Sequence, residues 1–147
     1  LAPALVALLL GLAVGAAAQP LVEPKGKAAK PKLDFAVTVL HASPEKGGID
    51  PGARRFDRLL RSSLRYESLR VVKSKQRHVE LNEIERVRLP TGDDFRFRPI
   101  DASDKGVLVS VDSKTTRGDF RLPRGKPLIL GGQPYEDGQL VVILEAE

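Results

Sequence analysis

The strongest structural signal in the chain comes from residues 84–112, IERVRLPTGDDFRFRPIDASDKGVLVSVD. Apolar side chains recur there at every second position in three short runs, which is the period of a strand with one buried face. The first two runs are separated by LPTG, where proline in second place and glycine in fourth favour a type I turn. The stretch therefore predicts consecutive antiparallel strands joined by tight turns. Its alternating apolar residues are Val87, Leu89, Phe95, Phe97, Val107, Val109 and Val111.

Short strand patterns continue on both sides of this stretch. They recur at intervals of about 10 residues, as in antiparallel sandwiches, and their connections are too short for parallel crossovers. We therefore predict an α+β, β-dominant fold. It is an antiparallel curled sheet or sandwich of about 7–8 short strands with one amphipathic helix packed on it. The further predicted strands are residues 34–40, 69–73, 79–81, 120–122, 128–130 and 139–145.

One helix is predicted to follow residue 50. Asp50 suits the N-cap, and Pro51 suits the first helical position, where a missing N–H costs nothing. On a helical wheel the apolar residues share one arc, and four arginines share a narrow arc on the opposite side. The helix is therefore expected to pack on a sheet and to present its arginines to solvent. The apolar arc holds Phe56, Leu59, Leu60 and Leu64 with Ser63, and the arginines are Arg54, Arg58, Arg61 and Arg65.

The first eighteen residues are uncharged and mostly apolar. Residues 4–14 are apolar apart from one glycine, and Ala16 and Ala18 supply the Ala-x-Ala step that signal peptidase requires. We predict a signal peptide at residues 1–18, cleaved before Gln19, so that the protein is exported to the periplasm or secreted. An uncleaved anchor is the alternative, because the segment is close to the length that spans a bilayer.

Most of the positive charge lies in a predicted linker. Residues 19–32, QPLVEPKGKAAKPK, contain three prolines and no apolar period, which is typical of a basic, Pro-rich linker. They hold four lysines against one glutamate, which is +3 of the net charge of +5. Residues 33–147, predicted to form a single globular β-rich domain, therefore carry only +2. The few aromatic residues are mostly at core positions, so no stacking platform for nucleic acid is expected.

Several kinds of chemistry are excluded or disfavoured by composition. Without cysteine the chain has no disulfide, thiol nucleophile, zinc–thiolate site or lipoprotein acylation site. No G-x-S-x-G motif accompanies the two histidines, His41 and His78. Asp101-x-x-Asp104-x-Gly106 lacks the ligand spacing of a calcium loop and is typical of turns. We therefore expect no catalytic residue, metal site or cofactor, with a hydrolase using His41 as the alternative.

The arginines are the best candidates for a binding site. The predicted hairpin around residues 90–92 places four of them on the face opposite its apolar residues, and like charges facing each other across strands are destabilising. Asp112 and Asp119 on neighbouring strands would neutralise them, or an anionic partner would supply the counter-charge. The hairpin arginines are Arg86, Arg88, Arg96 and Arg98, and the candidate binding residues are Arg54, Arg58, Arg61, Arg65, Arg96 and Arg98.

The carboxy-terminal half carries a sequence resemblance. Its pattern is Leu89-Pro90-x-Gly92, then Gly125-Lys126-Pro127, Gly131-Gly132, Tyr135, Gly138 and Leu140. It resembles small uncharacterised exported bacterial proteins. The G-x-x-x-x-x-G-G step is also similar to strand pairs of outer-membrane secretin channels. Neither resemblance implies a functional residue.

We predict an exported, non-catalytic accessory or binding domain of the bacterial cell envelope that binds a protein partner or an anionic surface. The alternative is a membrane-tethered structural subunit of a secretion or envelope assembly, which requires residues 1–18 to be retained. After signal cleavage no transmembrane segment is expected.

Overall fold

Nine strands and one helix make up the part of the chain that the computed structural model describes, residues 31–147. The helix, α1, spans Arg54–Arg61 and follows a single 3-10 turn at Pro51–Ala53. The predicted signal peptide and nearly all of the predicted linker lie outside the described residues. In chain order the strands are β1 (Lys32–Ser43), β2 (Gly48–Ile49), β3 (Ser68–Glu80), β4 (Glu85–Arg88), β5 (Asp94–Ser103), β6 (Gly106–Asp112), β7 (Arg117–Leu122), β8 (Leu128–Tyr135) and β9 (Gly138–Ala146).

The strands form two sheets. One has five strands in the order β2-β3-β1-β9-β8, and the other has four in the order β4-β5-β6-β7. Every pairing is antiparallel except the two-residue pairing of β2 with β3. The prediction of a β-dominant α+β fold, a curled sheet or sandwich of about 7–8 strands with one helix packed on it, is therefore confirmed, and the described strands number nine. Only the short parallel pairing departs from it, because the helix serves as a crossover between β2 and β3.

The main core lies between the two sheets. Because side chains alternate across a strand, every second residue of each sheet points inward, and these residues are the apolar ones. Phe35 of the five-stranded sheet meets Phe97 of the four-stranded sheet edge to face, with ring centroids 5.1 Å apart. The most deeply buried members of this core are Phe35, Val39, Val79, Val107, Val109 and Leu144.

The second core lies between α1 and the other face of the five-stranded sheet. Phe56 and Leu60 are buried there, and Leu64 packs against them. Leu59, predicted to share this face, is instead 46% exposed, so that part of the prediction is wrong. On the helical wheel Leu59 lies about 100° from Leu60, so it falls at the margin of the arc that Phe56 and Leu60 bury against the sheet.

Asp50 was predicted to cap the helix, but its side chain forms no hydrogen bond to the helical segment. Its Oδ2 accepts the backbone N–H of Val71 at 2.9 Å instead. The carboxylate therefore satisfies a donor on the outer side of β3, and Pro51 keeps its predicted place at the start of the helical segment.

Arg55 fixes the helix to the sheet. It donates two hydrogen bonds to Glu145, at 3.0 and 2.6 Å, and Glu145, near the end of β9, is only 6% exposed. These hydrogen bonds raise the pKa of Arg55 above its ordinary value. The Arg55 Cζ also lies 4.1 Å from the centroid of the Phe56 ring. A buried carboxylate without such a partner would be costly, so this pair is part of the packing of α1.

A buried glutamine joins the two sheets. Gln133 of β8 donates through Nε2 to Asp93 at 2.6 Å and to Thr91 at 3.0 Å, both in the turn between β4 and β5. The hydrogen bond from Gln133 is the largest cause of a lowered pKa at Asp93. The predicted turn at residues 89–92 is thus held from the opposite sheet.

β3 is one continuous strand of 13 residues, although two separate strands were predicted there. Its middle is polar because, beyond Leu69, no described strand pairs with its outer side. This free edge, Arg70–Glu80, carries Lys73, Lys75 and Arg77. Lys73 donates to the Arg88 carbonyl at 2.6 Å and so reaches the second sheet. Among the described residues, no helix has the length and apolarity that a membrane span requires.

Candidate functional site

The outer face of the four-stranded sheet is rich in arginine. Side chains alternate along each strand, so the residues between the core-facing ones point outward. Residues paired across neighbouring strands point to the same side of the sheet. We call this surface the arginine face, and it holds six arginines against four aspartates. Its charged residues are Arg86, Arg88, Asp94, Arg96, Arg98, Asp101, Asp112, Arg117, Asp119 and Arg121.

Two aspartates on the arginine face are each shared by two arginines. Asp94 accepts from Arg88 at 2.8 Å, with the Arg86 Nε at 3.6 Å. Asp112 lies between two further guanidinium groups. The predicted neutralisation of the hairpin arginines by carboxylates therefore exists in part, because the face has fewer carboxylates than guanidinium groups.

Asp112 neutralises Arg96 as the sequence predicts. It accepts from Arg96 through one oxygen and from Arg117 through the other, the latter at 2.9 Å. Asp119, the other predicted neutraliser, has no described cationic side chain within 4.0 Å, and Arg98 and Arg121 have no described carboxylate within that distance. Positive charge is thus left without a local partner on this face.

A shallow hollow of about 180 Å³ opens in the arginine face. Arginines from two adjacent strands surround it, and Asp112 is its one carboxylate. Ile84 forms an apolar wall and is 59% exposed. Arg98, one of the two arginines without a described carboxylate within 4.0 Å, therefore lines this hollow, whereas Arg121 does not. The lining residues are Ile84, Arg86, Arg96, Phe97, Arg98, Ser110 and Asp112.

The helix arginines lie on the opposite side of the domain. α1 covers one face of the five-stranded sheet, whereas the arginine face is the outer surface of the other sheet. Arg54 and Arg58 are exposed on the helix, and Arg61 is held by Asp57 at 2.8 Å and by the ring of Tyr66. The six predicted binding residues therefore divide into two groups that cannot contact one flat surface together.

Arg65 does not belong to the helical stripe. The helix ends at Arg61, so the predicted spacing of four, three and four residues holds only for the first three arginines. Arg65 lies in the connection to β3, beside a depression that Pro44, Leu64 and Tyr66 also line. The prediction failed here because the hydroxyls of Ser62 and Ser63 donate to the Leu59 and Leu60 carbonyls, local hydrogen bonds that compete with a continued helix.

His41 forms a second polar cluster, at the end of β1. It is 1% exposed, and its Nδ1 lies 3.0 Å from the Arg70 Nη2. A guanidinium group can only donate, so Nδ1 is the acceptor and Nε2 carries the ring proton. Nε2 then donates to the Tyr135 carbonyl at 3.2 Å, with Asp137 Oδ1 at 3.4 Å. Both ring nitrogens are therefore in use.

This arrangement bears on the predicted alternative of a hydrolase. Ser43 donates to Asp137 at 2.8 Å, which is the largest cause of the lowered pKa of Asp137, and not to His41. The hydrogen bond from a serine nucleophile to a histidine base, on which such catalysis depends, is not formed by this pair. His41, Glu136 and Asp137 do bring three ligand-type atoms within 4.8 Å of one another. However, the proton on Nε2 blocks the one nitrogen that faces the carboxylates.

Some residues of the arginine face were not identified from the sequence. Arg117 and Arg121 alternate with Phe120 and Leu122, and Ile84 has the same parity as Arg86. Alternation was therefore the signal that would have found them. Alternation does not give the order of the strands, in which β4 and β7 flank the central pair β5 and β6.

Comparison with known proteins gives no relative from which to assign these residues. No family model matches the chain, and neither the curated proteins nor the solved structures contain a significant match. Only the geometry and charge of these residues therefore indicate their function.

Proposed function

We propose that this chain is an exported, non-catalytic binding domain of the bacterial cell envelope, and that its arginine face binds an anionic envelope component. The observation that carries the proposal is the shortage of carboxylates on that face. Six guanidinium groups, on β4, β5 and β7, share this face with four carboxylates, and Arg98 and Arg121 have no described carboxylate within 4.0 Å. Guanidinium groups bind carboxylates and phosphates through two parallel hydrogen bonds, which suits an anionic surface.

The sheet makes this face better suited to binding than the helix. Side chains on paired strands are held at fixed spacings by the backbone ladder, about 4.7–4.9 Å between strands. The helix is short, and Arg55 and Arg61 are already engaged by Glu145 and Asp57. Solvent-exposed charges change the free energy of folding little, so the unbound arginine face destabilises the domain only slightly.

The proposal is tested by comparing two double variants with equal changes of charge. R96Q/R98Q changes the arginine face, and R54Q/R58Q changes the helix on the other side. We expect R96Q/R98Q to lose retention on vesicles rich in anionic phospholipid and on an immobilised acidic polysaccharide, while R54Q/R58Q is retained. Retention of the wild type should fall steeply with salt, because the screening length is about 8 Å at physiological ionic strength.

Equal loss in both variants would show that net charge alone causes retention and would contradict the proposal. So would a wild type that is not retained at low salt. Melting temperatures of all three proteins serve as the control for folding, since the changed side chains are solvent-accessible.

A further inference from the structure

The hollow in the arginine face has a specific charge and size. Three arginines and one aspartate line it, which leaves two positive charges around a volume of about 180 Å³. Water occupies about 30 Å³ per molecule in the liquid, so the hollow has room for a small polyatomic anion and part of the group that carries it.

The arginines around the hollow come from adjacent positions of the ladder. Arg86 of β4 lies directly opposite Arg96 of β5, and Arg98 is the next outward residue along β5. Directly opposed residues of antiparallel strands have Cα atoms about 4.5–5.5 Å apart. Like charges on directly opposed residues repel each other, and an anion bound between the two guanidinium groups relieves the repulsion.

The donors of these arginines are only partly used. Asp94 receives its shorter contact from Arg88 and stands 3.6 Å from the Arg86 Nε. Asp112 is shared with Arg117, and Arg98 has no described carboxylate within 4.0 Å. A guanidinium group has five N–H donors, so most donors of Arg86 and Arg98 remain open toward the hollow.

We infer that the hollow binds a tetrahedral oxyanion with two negative charges, a phosphomonoester or the free sulfate ion. This inference rests on the proposed function and names the chemical group that the same face recognises. Two charges on the anion match the two excess charges of the lining. A tetrahedral oxyanion offers acceptors in several directions to the three guanidinium groups and to the Ser110 hydroxyl, and Ile84 contacts the carbon side of the ester.

The experiment measures binding of inorganic phosphate and of sulfate to the purified protein by calorimetry at constant ionic strength, with acetate as the monoanionic comparison. We expect both dianions to bind at pH 7.5 and acetate to bind far more weakly. At pH 5 phosphate should bind several-fold more weakly, because inorganic phosphate, like a phosphomonoester with its second pKa of about 6, is a monoanion there, whereas sulfate should be unchanged.

Two single variants locate the site. R98Q removes a residue that lines the hollow, and R121Q removes the same charge from the same face at a distance from it. We expect R98Q to weaken phosphate binding by at least about tenfold, as for the loss of a charged hydrogen bond, and R121Q by less than about threefold. R58Q on the helix is the control that should bind as the wild type does.

Two vesicle compositions distinguish a lipid headgroup from other molecules that bear the phosphate group. Preference for phosphatidic acid, a monoester, over phosphatidylglycerol, a diester, would identify a lipid headgroup. Binding of free phosphate without that preference would identify a soluble or polysaccharide carrier. Equal losses in R98Q and R121Q, or equal binding of acetate and phosphate, would overturn the inference and leave the proposed function intact. A wild type that binds no anionic surface at low salt would overturn both.

Discussion

Gly138 lies where β9 begins, against the end of β1. A Cβ atom at this position would stand 1.9 Å from the Ala42 carbonyl oxygen, which is backbone and cannot move aside cheaply. We therefore predict that Gly138→Ala destabilises the domain by at least about 2 kcal/mol, in the range of overpacking substitutions. Urea denaturation measures the change.

Gly131 provides the matched control in the paired strand. A Cβ added there would meet only the Val141 side chain, at 3.8 Å, which is ordinary contact. Gly131→Ala should leave the free energy of unfolding unchanged or raise it by up to about 1 kcal/mol, since alanine restricts the unfolded chain. Equal losses in the two variants would mean that the hairpin tolerates no side chain at either glycine, contrary to the close approach argued for Gly138 alone.

The partners of two buried polar residues, Glu145 and His41, could not be predicted from the sequence. Glu145 follows the apolar run of residues 140–144, and its partner is Arg55, 90 residues away. His41 was noted as a candidate base, and its environment, set by Arg70 and Tyr135, comes from two other strands. Long-range pairing decides such roles, and periodicity does not report it.

The helix offers a test in two adjacent residues. Leu60 is fully buried, whereas Leu59 is 46% exposed. We predict that Leu60→Ala lowers the free energy of unfolding by about 2–5 kcal/mol, the usual cost of truncating a buried leucine. Leu59→Ala should cost less than about 0.5 kcal/mol, as exposed substitutions do. Thermal or urea unfolding of the two variants checks this, and a larger loss for Leu59→Ala would mean that the helix is rotated.

At the level of elements, periodicity predicted most of the strands. The runs at residues 34–40, 107–112 and 139–145 fall inside β1, β6 and β9. β3 was divided in two because its middle lies on a free edge, where polar side chains interrupt the alternation. β2 has only two residues, too few to give a period.

The whole molecule places its two arginine groups on opposite sides, and local pattern could not show this. The alternation of β4 and β5 predicted that Arg96 and Arg98 share a face. Which sheet carries that face, and that α1 packs on the other sheet, depends on the strand order. Strand order is set by contacts distant in sequence, so the composition of the site was partly predictable and its location was not.

Export is the prediction that concerns the chain as a whole. If residues 1–18 are a cleaved signal peptide, mass spectrometry of the exported protein should find an amino terminus at or near Gln19. The protein should also remain in the supernatant after a carbonate wash of membranes. Full recovery with the membranes, with residues 1–18 still attached, would favour the tethered alternative.

The free edge of β3 has a consequence for the protein at high concentration. An unpaired strand edge is a template on which another chain adds a strand, and such growth leads to aggregation. Lys73 and Lys75 stand along this edge, next to Arg77, whose Nε lies 2.7 Å from Glu85 Oε2. Two copies that approached each other through this edge would bring Lys73 and Lys75 of one copy close to those of the other, and these like charges would repel. Crowding should therefore not drive these molecules into intermolecular sheets through β3.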